Sequence, residues 1–156
     1  MGASGVTYRI ATRIALFTGA VTAAAAAQAN TPVALDSAVF VERQRGDNIR
    51  SLEPASRLSR GDRVVTIVSW RRQGGNGGSN GFTLVNPLPR AIAYQASARD
   101  SEEVSVDGGR SWGHLGELRI GARLATPEDV THVRWRVPAN HAAAGSGRIA
   151  YSGIVR

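Results

Sequence analysis

Apolar and polar residues alternate along most of this chain, and the clearest case is Gly61 to Trp70, Gly-Asp-Arg-Val-Val-Thr-Ile-Val-Ser-Trp. Val64, Thr66, Val68 and Trp70 fall on one side of a strand, and Val65 and Ile67 on the other. Branched side chains on both faces suit a strand inside a sheet rather than at its edge. Leu35 to Arg43 alternates in the same way and predicts an earlier strand. Gln44 to Arg60 is polar, carries Pro54 and reads as a connection, and Gly61-Asp62 turns the chain into the strand that follows.

Gln73 to Gly81 is glycine-rich, has no apolar surface to bury and predicts a mobile loop. A phosphate-cradling loop would need a helix after the glycines, whereas strand-like Phe82-Thr83-Leu84-Val85 follows. Asn86-Pro87-Leu88-Pro89 cannot sit mid-strand, because proline has no N–H to donate, so it marks a bend between sheets. Ala91 to Ala98 predicts a strand, and Glu103 to Trp112 a hairpin turning at Asp107-Gly108-Gly109. Leu115 to Leu124 reads as one further strand. Thr126-Pro127-Glu128-Asp129 reads as a capped helical turn. Thr131 to Val137 follows as a strand with Val133, Trp135 and Val137 on one face. Asn140 to Gly147 is a small-residue loop, and Arg148 to Val155 the last strand, with Ile149, Tyr151 and Gly153 on one face. About eight short strands and no long amphipathic helix predict an all-β fold, an antiparallel two-sheet sandwich.

The first residues follow a different pattern. Arg9 and Arg13 precede an uncharged, alanine-rich run from Ile14 to Ala27, and Ala27-Gln28-Ala29 supplies the small residues that signal peptidase requires. Residues 1–29 are therefore expected to be a signal peptide cleaved after Ala29, with an uncleaved anchor as the alternative, and residues 30–156 a single domain. No second apolar stretch is long enough to span a membrane, so the processed chain is expected to be soluble in the periplasm or medium.

Composition narrows the chemistry. Among 156 residues there is no cysteine, which excludes disulfides, thiolate catalysis, cysteine zinc sites and a lipoprotein anchor. All 19 basic residues are arginine, which excludes a Schiff-base lysine. The net charge is +7, and two of these charges, Arg9 and Arg13, leave with the leader. The remaining arginines are scattered, which predicts weak, salt-sensitive contact with anionic surfaces and no specific nucleic-acid binding.

Several short marks occur in a recognisable order: Leu58-x-x-Gly61-Asp62-x-Val64, Asn86-Pro87-x-Pro89, Val104-x-Val106-Asp107-Gly108-Gly109, Val130-Thr131-His132-Val133-Arg134-Trp135 and Gly147-x-Ile149-x-Tyr151. With them the chain resembles a single copy of the bacterial conserved-repeat domain of unknown function, an immunoglobulin-like module of exported and cell-surface proteins. Thr66 stands where that family often has an aromatic residue, and Arg71-Arg72-Gln73 where it often has an Asn-rich turn. The resemblance implies an immunoglobulin-like fold and an exported location. It implies no catalytic, cofactor-binding or metal residue.

Candidate chemistry can be weighed residue by residue. Ser105-x-Asp107-x-Gly109-x-Ser111-Trp112 matches the Asp-box of sialidases, where the box fastens a hairpin; one box cannot build a propeller. His114, His132 and His141 lack metal-ligand spacing, and His132 suits a surface or capping role. Gly145-Ser146-Gly147 lacks the Gly-x-Ser-x-Gly nucleophile elbow. Glu102, Glu103, Glu128 and Asp129 would serve glycoside hydrolysis only if brought about 5–10 Å apart. Trp70-Arg71-Arg72 and Arg134-Trp135-Arg136 place tryptophans in the core and arginines outside. The expected function is an exported, non-enzymatic module acting by binding or spacing in the cell envelope, with an envelope protein or a glycan as partner and no cofactor. The alternative is a carbohydrate-binding accessory or glycan-processing protein. Buried Trp70 and Trp135 would favour the first reading, and a cleft with converging carboxylates the second.

Overall fold

The computed structural model describes residues 6–9, 33–45, 49–73, 81–97 and 102–156. Strands dominate: β1 (Val6–Arg9), β2 (Val33–Arg45), β3 (Ile49–Pro54), β4 (Arg63–Arg72), β5 (Phe82–Pro87), β6 (Ile92–Ser97), β7 (Glu102–Ser105), β8 (Arg119–Ile120), β9 (Arg123–Leu124), β10 (His132–Val137) and β11 (Ser146–Val155). The fold is all-β. Four strands form one sheet in the order β1-β5-β10-β7, and five form another in the order β3-β2-β4-β11-β6. As its branched residues predict, β4 is central, antiparallel to β2 on one side and to β11 on the other. Val64, Thr66, Val68 and Trp70 are buried, and Val65 and Ile67 are half-buried.

Both sheets contribute to one core. Trp70, Tyr94, Ile149 and Tyr151 of the five-stranded sheet meet Phe82, Leu84, Val104, Val133 and Trp135 of the four-stranded one. Trp70 sets an edge against Phe82 with centroids 5.0 Å apart, and Trp135 lies 5.7 Å from Tyr151. The polar atoms of this core are bonded: Asn86 Nδ2 donates to the Tyr151 hydroxyl at 2.6 Å, and Trp135 Nε1 to Ser97 Oγ at 3.0 Å. A smaller cluster of Val41, Val64, Ile92 and Val155 fills the opposite end.

The crossing between sheets expected at Asn86–Pro89 begins two residues later, since Asn86 and Pro87 end β5, still paired with β10, and the chain reaches β6 of the other sheet at Ile92. The capped turn is a 3-10 helix, Pro127–Asp129, with Thr126 and Asp129 bonded reciprocally. Four other segments differ from expectation. The stretch read as the connection from Gln44 to Arg60 contains β3, paired with the end of β2; its Ile49 and Leu52 are exposed, so no buried face marked it as a strand. The stretch read as a strand from Leu115 to Leu124 is a turn followed by the short β8–β9 pair, because Gly121 (φ 59°) reverses the chain there. The hairpin from Glu103 to Trp112 is closed by one bridge, Val104 to Gly113, not by a second strand. The loop from Asn140 to Gly147 begins with one helical turn, α1 (Ala139–Ala142), anchored by buried Ala142.

β1 lies inside the segment expected to be the leader. It pairs with β5 in parallel, from Val6 opposite Phe82 to Arg9 opposite Val85, in sheets otherwise antiparallel. The glycine-rich loop expected at Gln73–Gly81 falls, apart from its two end residues, outside the described residues, as does most of residues 1–29. No described helix is long and apolar enough to cross a membrane.

A candidate binding cleft at one end of the sheets

Strand register brings together residues that are far apart in the chain. Across β2, β4 and β11, Ala34, Arg71 and Ser146 stand in one row, Leu35, Trp70 and Gly147 in the next, and Asp36, Ser69 and Arg148 in a third. Alternation along each strand sends Leu35 and Trp70 toward the core and leaves Asp36, Arg71 and Arg148 exposed. Two adjoining depressions open at this end, of about 180 Å³ and about 460 Å³, and share Trp70, Ser146, Gly147 and Arg148. The smaller reaches Trp135, Arg136 and His141. The larger reaches Asp36, Ser69, Arg71 and Gln73.

The electrostatics of this cleft are cationic. Arg71, Arg136 and Arg148 line it, and Asp36 is the one acid among its lining residues. Among the described residues no carboxylate pairs with Arg71 or Arg148. Arg136 is only loosely held, 3.5 Å from Glu103, with its side chain 72% exposed. Guanidinium groups in such a setting are available to a carboxylate or phosphate. Gly147 keeps the floor flat, since a Cβ there would come 2.7 Å from the Trp70 indole.

Several candidates meet at this cleft: Trp70, Arg71, Trp135, Arg136, His141 and Ser146. Both indoles face inward, with Trp70 5% and Trp135 1% exposed, so they form walls and present no ring face for stacking. Ser146 starts a strand and follows a helical turn, the reverse of a nucleophile elbow.

The remaining candidates lie elsewhere and are bonded structurally. Glu102 accepts a 2.5 Å hydrogen bond from Tyr94, whose phenol is pushed up by burial and by that carboxylate. Glu103 accepts from Arg134 Nε at 3.0 Å and Nη2 at 2.7 Å. The Arg123 fork, at 2.6 and 2.8 Å, and the Thr126 backbone hold the Asp129 carboxyl well below the usual range. Glu128 is exposed. None of these four acids lines the cleft. His114 is an exposed turn residue. His132 shares a 3.1 Å contact with Thr131 Oγ1 and packs edge-on to Trp112. Among the described residues no group of three His, Asp or Glu side chains could hold a metal ion.

The Asp-box behaves as a fastener. Asp107 Oδ1 accepts from the Arg110 and Ser111 N–H groups at 3.0 and 2.9 Å, and Oδ2 from the Ser111 hydroxyl at 2.6 Å. The Ser111 hydroxyl and N–H, with Ser105, hold that carboxyl well below its usual range. Trp112 Nε1 closes the loop on Gly109 O at 3.1 Å, and the Arg134 guanidinium lies 4.5 Å above the Trp112 ring.

Asp36, Ser69 and Arg148 were not singled out by sequence reasoning. Alternation puts Ser69 and Arg71 on the solvent side of β4, but which residues of β2 and β11 stand beside them depends on register. No family model, curated protein or solved structure matches the chain.

Proposed function

We propose that this chain is an exported, non-enzymatic module with an immunoglobulin-like sandwich fold, of the conserved-repeat kind its sequence resembles. On this reading residues 1–29 are the export leader, residues 30–156 the domain, and the domain binds an anionic envelope component through the arginine-lined cleft. The observation that carries the reading is the burial of Trp70 and Trp135 at 5% and 1% exposure. A saccharide-stacking or hydrolytic site needs an accessible ring face or two facing carboxylates, and the cleft offers instead Arg71, Arg136 and Arg148 around a single acid. Guanidinium groups in a shallow, solvated cleft bind anions weakly and in a salt-dependent way.

The test is a titration of the protein followed by tryptophan fluorescence, with a polyuronate and a neutral glucan as probes. The polyuronate should bind and the neutral polymer should not. Arg71→Ala with Arg148→Ala should weaken binding about tenfold or more, and raised salt should weaken it in the parent. Tight binding of the neutral polymer, or its cleavage, would instead support the carbohydrate-processing alternative.

A further inference from the structure

The strand β1 sits alone on the outer side of β5, at the edge of the four-stranded sheet. Its partner residues Phe82, Thr83, Leu84 and Val85 are uncharged and strand-forming. Of the other three edges, β3 carries Arg50, Glu53 and Pro54 and β7 carries Glu102 and Glu103, while the uncharged β6 packs against the 3-10 helix Pro127–Asp129. Phe82 and Leu84 are 7% or less exposed and belong to the core, so β5 is fixed from within and cannot swing away to hide its edge. If residues 1–29 are removed on export, β1 leaves with them, and the outward N–H and C=O groups of β5 lose their partner.

We propose that the β5 edge is a strand-acceptor site, filled by Val6–Arg9 in the unprocessed chain and opened by leader removal to an extended segment of an envelope partner protein. This inference rests on the leader reading above. β1 itself shows the mode of entry, a short segment running parallel to β5 with Val6 opposite Phe82 and Arg9 opposite Val85. Main-chain hydrogen bonds would supply the affinity, so the partner segment must be extended and free of proline over about four residues. In the precursor the plug prevents premature pairing of an edge that would otherwise recruit strands indiscriminately.

Hydrogen exchange over residues 82–86 tests the proposal. In the intact chain these amides should exchange slowly. In the intact chain carrying Thr7→Pro and Tyr8→Pro those that face β1 should exchange about tenfold faster or more, while those bonded to β10, and residues 132–137, stay protected and report an intact fold. A synthetic peptide of residues 5–10 added to that variant, or to the exported form, should restore protection. Unchanged exchange in the variant, or no restoration by peptide, would overturn the acceptor site. Protection of residues 82–86 in an exported form that light scattering shows to be dimeric would mean a second copy fills the edge, and would overturn the partner assignment. The mass of the exported chain tests the leader separately: retention of residues 1–29 overturns the processing step even where the peptide binds.

Discussion

Gly147 shows how much a single position carries. It faces Trp70 across β4 and β11, and an added Cβ would come 2.7 Å from three atoms of the indole. That ring cannot yield easily, because Phe82 meets it at 5.0 Å and the core closes behind it. Overpacking of this kind costs about 1–3 kcal/mol. Gly147→Ala should therefore lower the urea midpoint by that equivalent with an unchanged m-value, and a change under about 0.5 kcal/mol would show that the ring has room to move. The glycine was visible in the sequence as the head of the last strand. Its reason was not, since the demand for a missing side chain comes from a tryptophan on another strand.

Among the elements, the segment from β7 through the Asp-box to Gly113 shows what a short motif can and cannot reveal. The acceptor role of Asp107 and the packing of Trp112 follow from residue types alone, because a carboxylate two residues after a serine reaches the N–H groups of the next turn. The missing return strand did not follow, because the bonds that would have built it are replaced by side-chain bonds to Asp107 and Ser105. β3 was illegible for the opposite reason: its pairing with β2 is backbone bonding plus the Glu42–Arg50 ion pair at 3.1 Å, with no buried stripe to read. β4, β10 and β11 were legible because each buries alternate residues. The cleft was half legible, its tryptophans and arginines recognised singly and its rows fixed only by register. The Asp107 carboxyl titrates lower in the folded chain than its ordinary 3.8, so its contribution is present above that pH and is lost as pH falls below it. Asp107→Asn should accordingly melt earlier than the parent at neutral pH, and the gap should narrow on acidification toward about pH 2. An equal gap at both pH values would mean that charge plays no part in the fastener.

On the scale of the whole molecule, the order in which the sheets close sets how the chain folds. β4 has apolar residues on both faces and sits at the centre, yet its partners are remote: Leu35 lies upstream and Gly147 far downstream of the Trp70 they flank. The four-stranded sheet is similar, with β10 between β5 and β7, so Trp135 stands opposite Leu84 and Glu102. Among the described residues no long helix supplies local structure, and the helical turns span only Pro127–Asp129 and Ala139–Ala142. Loop-closure entropy must be met before any of these pairings is rewarded. Chains of such topology fold in about milliseconds to seconds. Trp70 and Trp135 report the event directly, since each is exposed in the unfolded chain and buried in a core built by both sheets. Stopped-flow refolding followed by their fluorescence should show its main phase in that window. A main phase completed in microseconds would mean that the tryptophans reach their native surroundings through local contacts, which the pairing of β4 with β2 and β11 does not allow.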